Sequence, residues 1–261
     1  MKDLDLSLPQ CLQTPPGCPP GAEPLAHLGD RTGVLLLHGF TGSPWEVRPI
    51  ADALARLGHT VALPVLAGHA TSLRALNETT WQDWLQSAQD ALDWLDARTD
   101  RIHIIGLSMG ALLALLLANR RPPERAGQLV LLAPALCLTD WQTLAMELSG
   151  RLGWPELLGK EDPHLPQNPP GYQGIPVRAT LSFLQLQRVV RQTIQPQTAL
   201  VLHGEADQTI SCDLAGKLAQ PLLVMPGSEL RRIPQVGHLL PRTVAGPRVV
   251  QDVLEWLDRE T

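Results

Sequence analysis

The chain has 261 residues, enough for one large α/β domain or two small ones, and 44% of them are hydrophobic, which suffices for a buried core. Its net charge of -5 comes from 21 basic and 26 acidic residues without long single-sign blocks, so the electrostatic footprint of a nucleic-acid binder is missing. Cys11, Cys18, Cys137 and Cys212 are too scattered for a disulfide framework, and no C-x-x-C pair points to zinc or redox chemistry. The opening MKDLDLSLPQ has early acids and no apolar h-region, and the longest apolar stretch, Ala111 to Ala118, is far below the roughly 18 residues that span a bilayer. The expectation is a soluble, cytoplasmic protein without stable membrane insertion, whose partners are small or neutral.

Residues 1–31 are expected to form a Pro-rich lead-in, because prolines fix φ and lack a donor. Val34-Leu35-Leu36-Leu37 is an unbroken apolar run of the kind found in a strand buried on both faces. Ser43-Pro44-Trp45-Glu46 has the pattern of a capping box with proline at the first helical position, followed by apolar positions Ile50, Ala53, Leu54 and Leu57 and a closing Gly58. Val61-Ala62-Leu63 is a short strand, and Thr80-Trp81-Gln82-Asp83 opens a helix with apolar residues at Trp84, Leu85, Ala88, Ala91, Leu92 and Leu95. Ile102 to Leu107, Gly110 to Asn119 and Leu129 to Ala133 continue the strand and helix alternation, which implies a mostly parallel sheet flanked by helices. After Pro134 the rhythm breaks. Residues 136–195 contain no strand-like run and are expected as an inserted helical cap, with one apolar pattern from Trp141 to Leu158 and another at Leu181, Leu184, Leu186, Val189 and Val190. The α/β core thus comprises residues 32–135 and 196–261, resuming at Ala199 to Leu202, passing a strand near Glu229 to Ile233 and ending in a helix from Gly246 to Leu257.

Gly106-Leu107-Ser108-Met109-Gly110 matches G-x-S-x-G directly after a buried strand and directly before a helix. A nucleophile on such a sharp turn has strained backbone angles, and small neighbours two residues either side allow the close approach of the chain. A serine hydroxyl needs a histidine to accept its proton and a carboxylate to hold that histidine. Of eight histidines, His238 is the best base, in a loop past the last strand. Asp207 follows the strand ending at Leu202, and the order Ser, Asp, His agrees with the serine motif; Glu205 and Asp213 are nearby rivals that spacing does not exclude. The loop His38-Gly39-Phe40-Thr41-Gly42 ends the first strand. Backbone N–H groups of Phe40 and Met109 are the expected oxyanion hole, with His38 supporting the loop. His69 and His59 are structural or solvated, Trp81, Trp84 and Trp94 pack at helical spacing, and Arg231-Arg232 forms a wet edge.

Together His38-Gly39-Phe40-Thr41-Gly42, Gly68-His69, Gly106-Leu107-Ser108-Met109-Gly110, His203-Gly204 with Asp207, and Gly237-His238 resemble the bacterial carboxylesterase and monoacylglycerol lipase group of α/β-hydrolases. The resemblance implies an α/β-hydrolase fold, a cap over an acyl pocket, absence of the first two antiparallel strands of larger members, and a departure at Pro241-Arg242 where the base is anchored. The expected activity is cleavage of carboxylic esters, short- to medium-chain or monoacylglycerol-like, through an acyl-enzyme on Ser108, with Trp141, Met146 and Leu239 contacting substrate. The same triad would also serve a thioester, amide or carbon-carbon bond, and a disabled hydrolase fold would be a binding protein. No cofactor and no metal are expected, since neither G-x-G-x-x-G, nor a Walker pattern, nor a ligand cluster occurs. The letters specify no oligomeric state.

Overall fold

The computed structural model describes residues 7–137, 156–158, 170, 172 and 174–259. Seven strands in these residues form one sheet: β1 (Leu25–His27), β2 (Thr32–Leu37), β3 (Thr60–Leu63), β4 (Arg101–Leu107), β5 (Ala126–Leu132), β8 (Ala199–Gly204) and β9 (Glu229–Ile233). Their order is β1-β3-β2-β4-β5-β8-β9, and every pairing is parallel except β1 with β3. The apolar run in β2 is buried on both faces: Val34 and Leu36 belong to one hydrophobic cluster, Leu35 and Leu37 to the other. Helices α1 (Arg48–Arg56) and α8 (Gly246–Leu257) cover the first face, contributing Ile50, Leu54, Val253 and Trp256. Helices α3 (Trp81–Asp96) and α4 (Met109–Ala118) cover the second. The sequence MGALLALLLA of α4 is apolar all round, and Met109 to Leu117 are buried, as a helix central to the molecule requires.

Several local expectations are corrected. The lead-in is not merely extended: β1 pairs antiparallel with β3, so one antiparallel edge strand is present, a turn at Gln10–Leu12 buries Cys11 and Leu12, and Ala22 is buried against Val65 and Ala70. Its backbone is anchored where the Val65 N–H donates to the Cys11 carbonyl at 2.8 Å. Leu57 is exposed, because α1 has already ended and Gly58 turns away at φ 90°. The box at Ser43 does not form. Pro44–Val47 is a 3-10 turn, Ser43 makes no side-chain cap, and the Glu46 carboxyl accepts the Gly39 N–H instead. The capping box at Thr80 and Asp83 is present.

Within the insertion, β6 (Glu156–Leu158) and β7 (Gly174–Pro176) pair as an antiparallel ribbon, against the expectation of no strand. Two short strands with few alternating residues leave no periodic signal, and β7 runs straight into helix α5 (Val177–Thr193). The latter matches the second helical pattern. It is tied to the core by polar contacts: Asn77 Oδ1 accepts the Arg178 and Ala179 N–H groups at its start, Ser182 Oγ accepts the Trp81 N–H, and Gln187 Nε2 donates to the Ala135 carbonyl. Trp141 and Met146 lie outside the described residues.

Three histidines are held neutral by burial. Desolvation lowers His38 and His103 to about 4 and His69 well below its ordinary value, while burial raises Glu46 to about 7. Between about pH 4.5 and 6.5 the unfolded chain protonates the histidines that the fold keeps neutral, and among the described residues the fold protonates only Glu46 in return. The unfolded state therefore binds more protons, and stability rises with pH across this window. Urea melts at pH 5 and pH 7 are expected to show the loss at pH 5, on the order of 1 to 3 kcal/mol per pH unit. Equal stability at the two values would contradict this.

Candidate active site

Four candidate elements emerge from the same edge of the sheet, the carboxyl ends of parallel strands, which is where open α/β sheets bind ligands. Leu37 and Gly106 are register partners on β2 and β4, so the His38–Gly42 loop and Ser108 leave the sheet side by side. Gly204 and Ile233 are partners on β8 and β9, so the segments carrying Asp207 and His238 do the same.

Ser108 sits between β4 and α4 with φ 55° and ψ -112°, a conformation that a side-chain-bearing residue holds only when its surroundings enforce it. Those surroundings are visible in the two glycines. A Cβ on Gly106 would lie 2.3 Å from the Gly110 carbonyl oxygen, and one on Gly110 would lie 2.3 Å from the Leu37 carbonyl oxygen and 2.6 Å from that of His38. Both contacts are with backbone, so neither position accepts a larger residue. The Ser108 N–H donates to the Leu132 carbonyl at 2.8 Å, which locks the turn onto β5. Met109, the first residue of α4, has an N–H without a partner in the preceding helical turn, at the positive end of the helix dipole.

Of the three carboxylates that spacing leaves open, Asp207 is the one in contact with His238. His238 Nδ1 lies 2.7 Å from Asp207 Oδ2, whereas Asp213 is exposed and paired with Arg232, and Glu205 is exposed. The Asp207 side chain is fully buried and its four acceptor positions are used. Oδ1 accepts the N–H groups of Thr209 and Ile210 at 2.8 and 2.9 Å, and Oδ2 faces both His238 and His203 Nε2, the latter at 3.2 Å. Burial alone would raise this carboxyl. The nearby charge of His238 and the hydrogen bonds from His203, His238 and Ile210 outweigh it and hold the group well below the usual carboxylate range. His203 Nε2 also faces the Ile210 carbonyl at 3.2 Å; with two acceptors before it, this nitrogen carries the proton. His203 thus buttresses Asp207 from behind, a role that its place in the sequence motif does not announce.

In the loop after β2, His38 is a neutral hydrogen-bonding strut. Its Nδ1–H donates to the Gly39 carbonyl at 2.9 Å and Nε2 accepts the Leu66 N–H at 3.2 Å. The Phe40 ring stacks on Phe183 of α5 at 5.2 Å between centroids and tilts against Trp84 at 5.5 Å, so α5 packs directly on the loop. Arg242, the departure noted in the sequence, bridges to the turn after this loop: its guanidinium donates from Nε to the Trp45 carbonyl at 2.6 Å and lies 4.0 Å above the Trp45 ring. Leu239 is buried in the cluster with Val236, Leu240, Val249 and Trp256. The roles of Glu46, Arg242, His203 and Phe183 are not legible in the letters: Glu46 and His203 act on residues seven and four positions away through turns that only the fold defines, and Arg242 and Phe183 reach residues distant in the chain. Arg231 is likewise not simply a wet edge, since it pairs with the buried Asp252 at 2.8 Å.

A parallel sheet bearing a serine on a strained turn, with a histidine and carboxylate pair at the same edge, is the arrangement of α/β-hydrolases. The model of the alpha/beta hydrolase family matches residues 34–251, and the chain belongs to that family. It is similar to a thermostable monoacylglycerol lipase of Bacillus sp. strain H-257, with 38% identity over 177 residues, 66% of this chain and 67% of that one. A carboxylesterase of Bacillus subtilis strain 168 is 24% identical over 240 residues, 91% of this chain and 96% of that one. Among solved structures, one from work on LipS and LipT, two metagenome-derived lipolytic enzymes, superposes with a TM-score of 0.81 at 27% identity, covering 92% of this chain and 99% of that one. No helix among the described residues is long and apolar enough to cross a membrane.

Proposed function

We propose that the protein is a carboxylic ester hydrolase in which Ser108 attacks the ester carbonyl, His238 takes the serine proton and returns it to the leaving alcohol, and Asp207 holds the imidazolium. The N–H groups of Phe40 and Met109 receive the oxyanion, and water then attacks the acyl-serine, again with His238 as base. The observation that carries this reading is the strained conformation of Ser108, which ordinary turn chemistry does not require and which presents a hydroxyl above a helix N-terminus. Asp207, saturated with donors and held ionised, supplies the countercharge that the base needs when it is protonated.

The substrates are small neutral esters, with acyl chains of short to medium length or monoacylglycerols. The likeness to the Bacillus monoacylglycerol lipase and carboxylesterase supports this class, as does the helical face that α5 brings against the Phe40 loop. The insertion at 136–195 is assigned as the cap of the acyl site, and residues 32–135 and 196–261 as the catalytic core. Turnover of p-nitrophenyl esters of increasing chain length tests the reading. Hydrolysis with a preference for short to medium chains is expected, and a folded protein that hydrolyses none of them would overturn it.

A further inference from the structure

We infer that Glu46 is a positioning residue for the oxyanion hole, its buried carboxyl holding the Gly39–Gly42 loop so that the Phe40 N–H is aimed at the carbonyl above Ser108. The inference rests on Ser108 as nucleophile and on Phe40 and Met109 as donors. The Gly39 N–H, one peptide before the Phe40 donor, donates to Glu46 Oε2 at 2.7 Å. A Cβ on Gly39 would lie 3.4 Å from Ser108 Cβ, so the tethered peptide is within van der Waals reach of the nucleophile. A Cβ on Gly42 would lie 2.2 Å from Glu46 Oε1, so the carboxyl fills the inside of the loop between its two glycines. Between them Thr41 is held at φ 59°, a conformation that needs outside support. Glu46 is only 5% exposed, and burying an ionisable group to satisfy one N–H is costly unless that N–H must be fixed.

The same carboxyl feels the charge of the base. The charges acting on it are those of His238, from the loop after β9, and Arg242, from the turn at Leu240–Arg242; Arg242 in turn feels Asp52 and Arg48 of α1. The remaining titratable group on the loop, His38, is neutral. With burial raising Glu46 to about 7, against the Gly39 hydrogen bond and the charges of His238 and Arg242, both protonation states occur near neutrality. Either state accepts the Gly39 N–H, because a protonated carboxyl keeps its carbonyl oxygen. The tie is therefore independent of charge, while the charge itself favours the imidazolium of His238.

The test compares wild type, Glu46→Ala and Glu46→Gln for kcat and KM on a p-nitrophenyl ester and for affinity toward an alkyl boronic acid, which occupies the hole as an anionic adduct of the serine. Thermal melts report folding. Glu46→Ala is expected to lower kcat about ten- to a hundredfold, as displacement of a catalytic group by an ångström does, with KM within threefold and boronate affinity falling in parallel. Glu46→Gln is expected to recover most of kcat and to move the acidic limb of kcat/KM to lower pH. A folded Glu46→Ala with unchanged kcat and boronate affinity would overturn the inference, as would a Glu46→Gln as impaired as the alanine variant. Should the alanine variant not fold, Glu46→Asp, one methylene too short to reach Gly39, replaces it with the same expected loss. Wild-type protein that hydrolyses esters without being labelled at Ser108 by a fluorophosphonate would fault the nucleophile assignment rather than the role of Glu46.

Discussion

Ser108→Gly is expected to abolish ester hydrolysis and at the same time to stabilise the fold. Loss of the nucleophile in a serine triad costs about a millionfold in kcat. The backbone at this position has φ 55° and ψ -112°, however, and a residue forced into such a region costs about 1 to 3 kcal/mol that glycine largely avoids. Allowing for the greater freedom of glycine in the unfolded chain, a gain of about 1 kcal/mol remains, or roughly 2 to 4 °C in Tm for a chain of this size. Ser108→Ala is expected to be equally inactive without that gain. An inactive Ser108→Gly that melts below Ser108→Ala would mean that the turn is not strained in the way its angles indicate, and an active one would remove Ser108 from the chemistry.

Asp207→Asn is expected to lower kcat by about ten-thousandfold while KM stays within a few-fold. The reason lies in the four donors around the carboxylate. Oδ1 accepts from Thr209 and Ile210, and Oδ2 faces His238 and His203. An amide has one acceptor oxygen, so its NH2 group must confront one of these donor pairs in either orientation. With the NH2 toward the histidines, His238 turns to the tautomer with its proton on the wrong nitrogen; with the NH2 toward the backbone, the N–H groups of exposed Thr209 and buried Ile210 lose their acceptor, the second at about 1 to 3 kcal/mol. Steady-state kinetics together with a thermal melt separate the two outcomes, and a variant retaining a tenth of wild-type kcat would contradict the role given to Asp207.

The central sheet is legible in the letters because burial on both faces leaves unbroken apolar runs. Val34 to Leu37 is such a run, Ile102 to Leu107 is broken only by His103, and the glycines at 106 and 110 mark where backbone meets backbone. The edge is less legible. Leu25-Ala26-His27 becomes a strand only because β3 offers it a partner 36 residues further on, and three residues carry no periodicity. The failure at Ser43 is more instructive. Ser-Pro-Trp-Glu has the letters of a helix start, yet the Glu46 carboxyl finds a stronger claim in the Gly39 N–H, a donor that the loop at the end of β2 brings to it and that no local rule anticipates. Similarly, spacing leaves Glu205, Asp207 and Asp213 as rivals for His238. The choice among them depends on which side chain turns inward, and that is set by the N–H groups of Thr209 and Ile210 capturing Asp207.

The central claim is that Ser108 is made reactive by the elements that surround it. Peptide mapping by mass spectrometry after brief treatment with a fluorophosphonate tests this most directly. A single adduct on Ser108, absent from Ser108→Gly and slow to form in Asp207→Asn, is the predicted result; an adduct on a different residue, or none on a preparation that turns over esters, would contradict it.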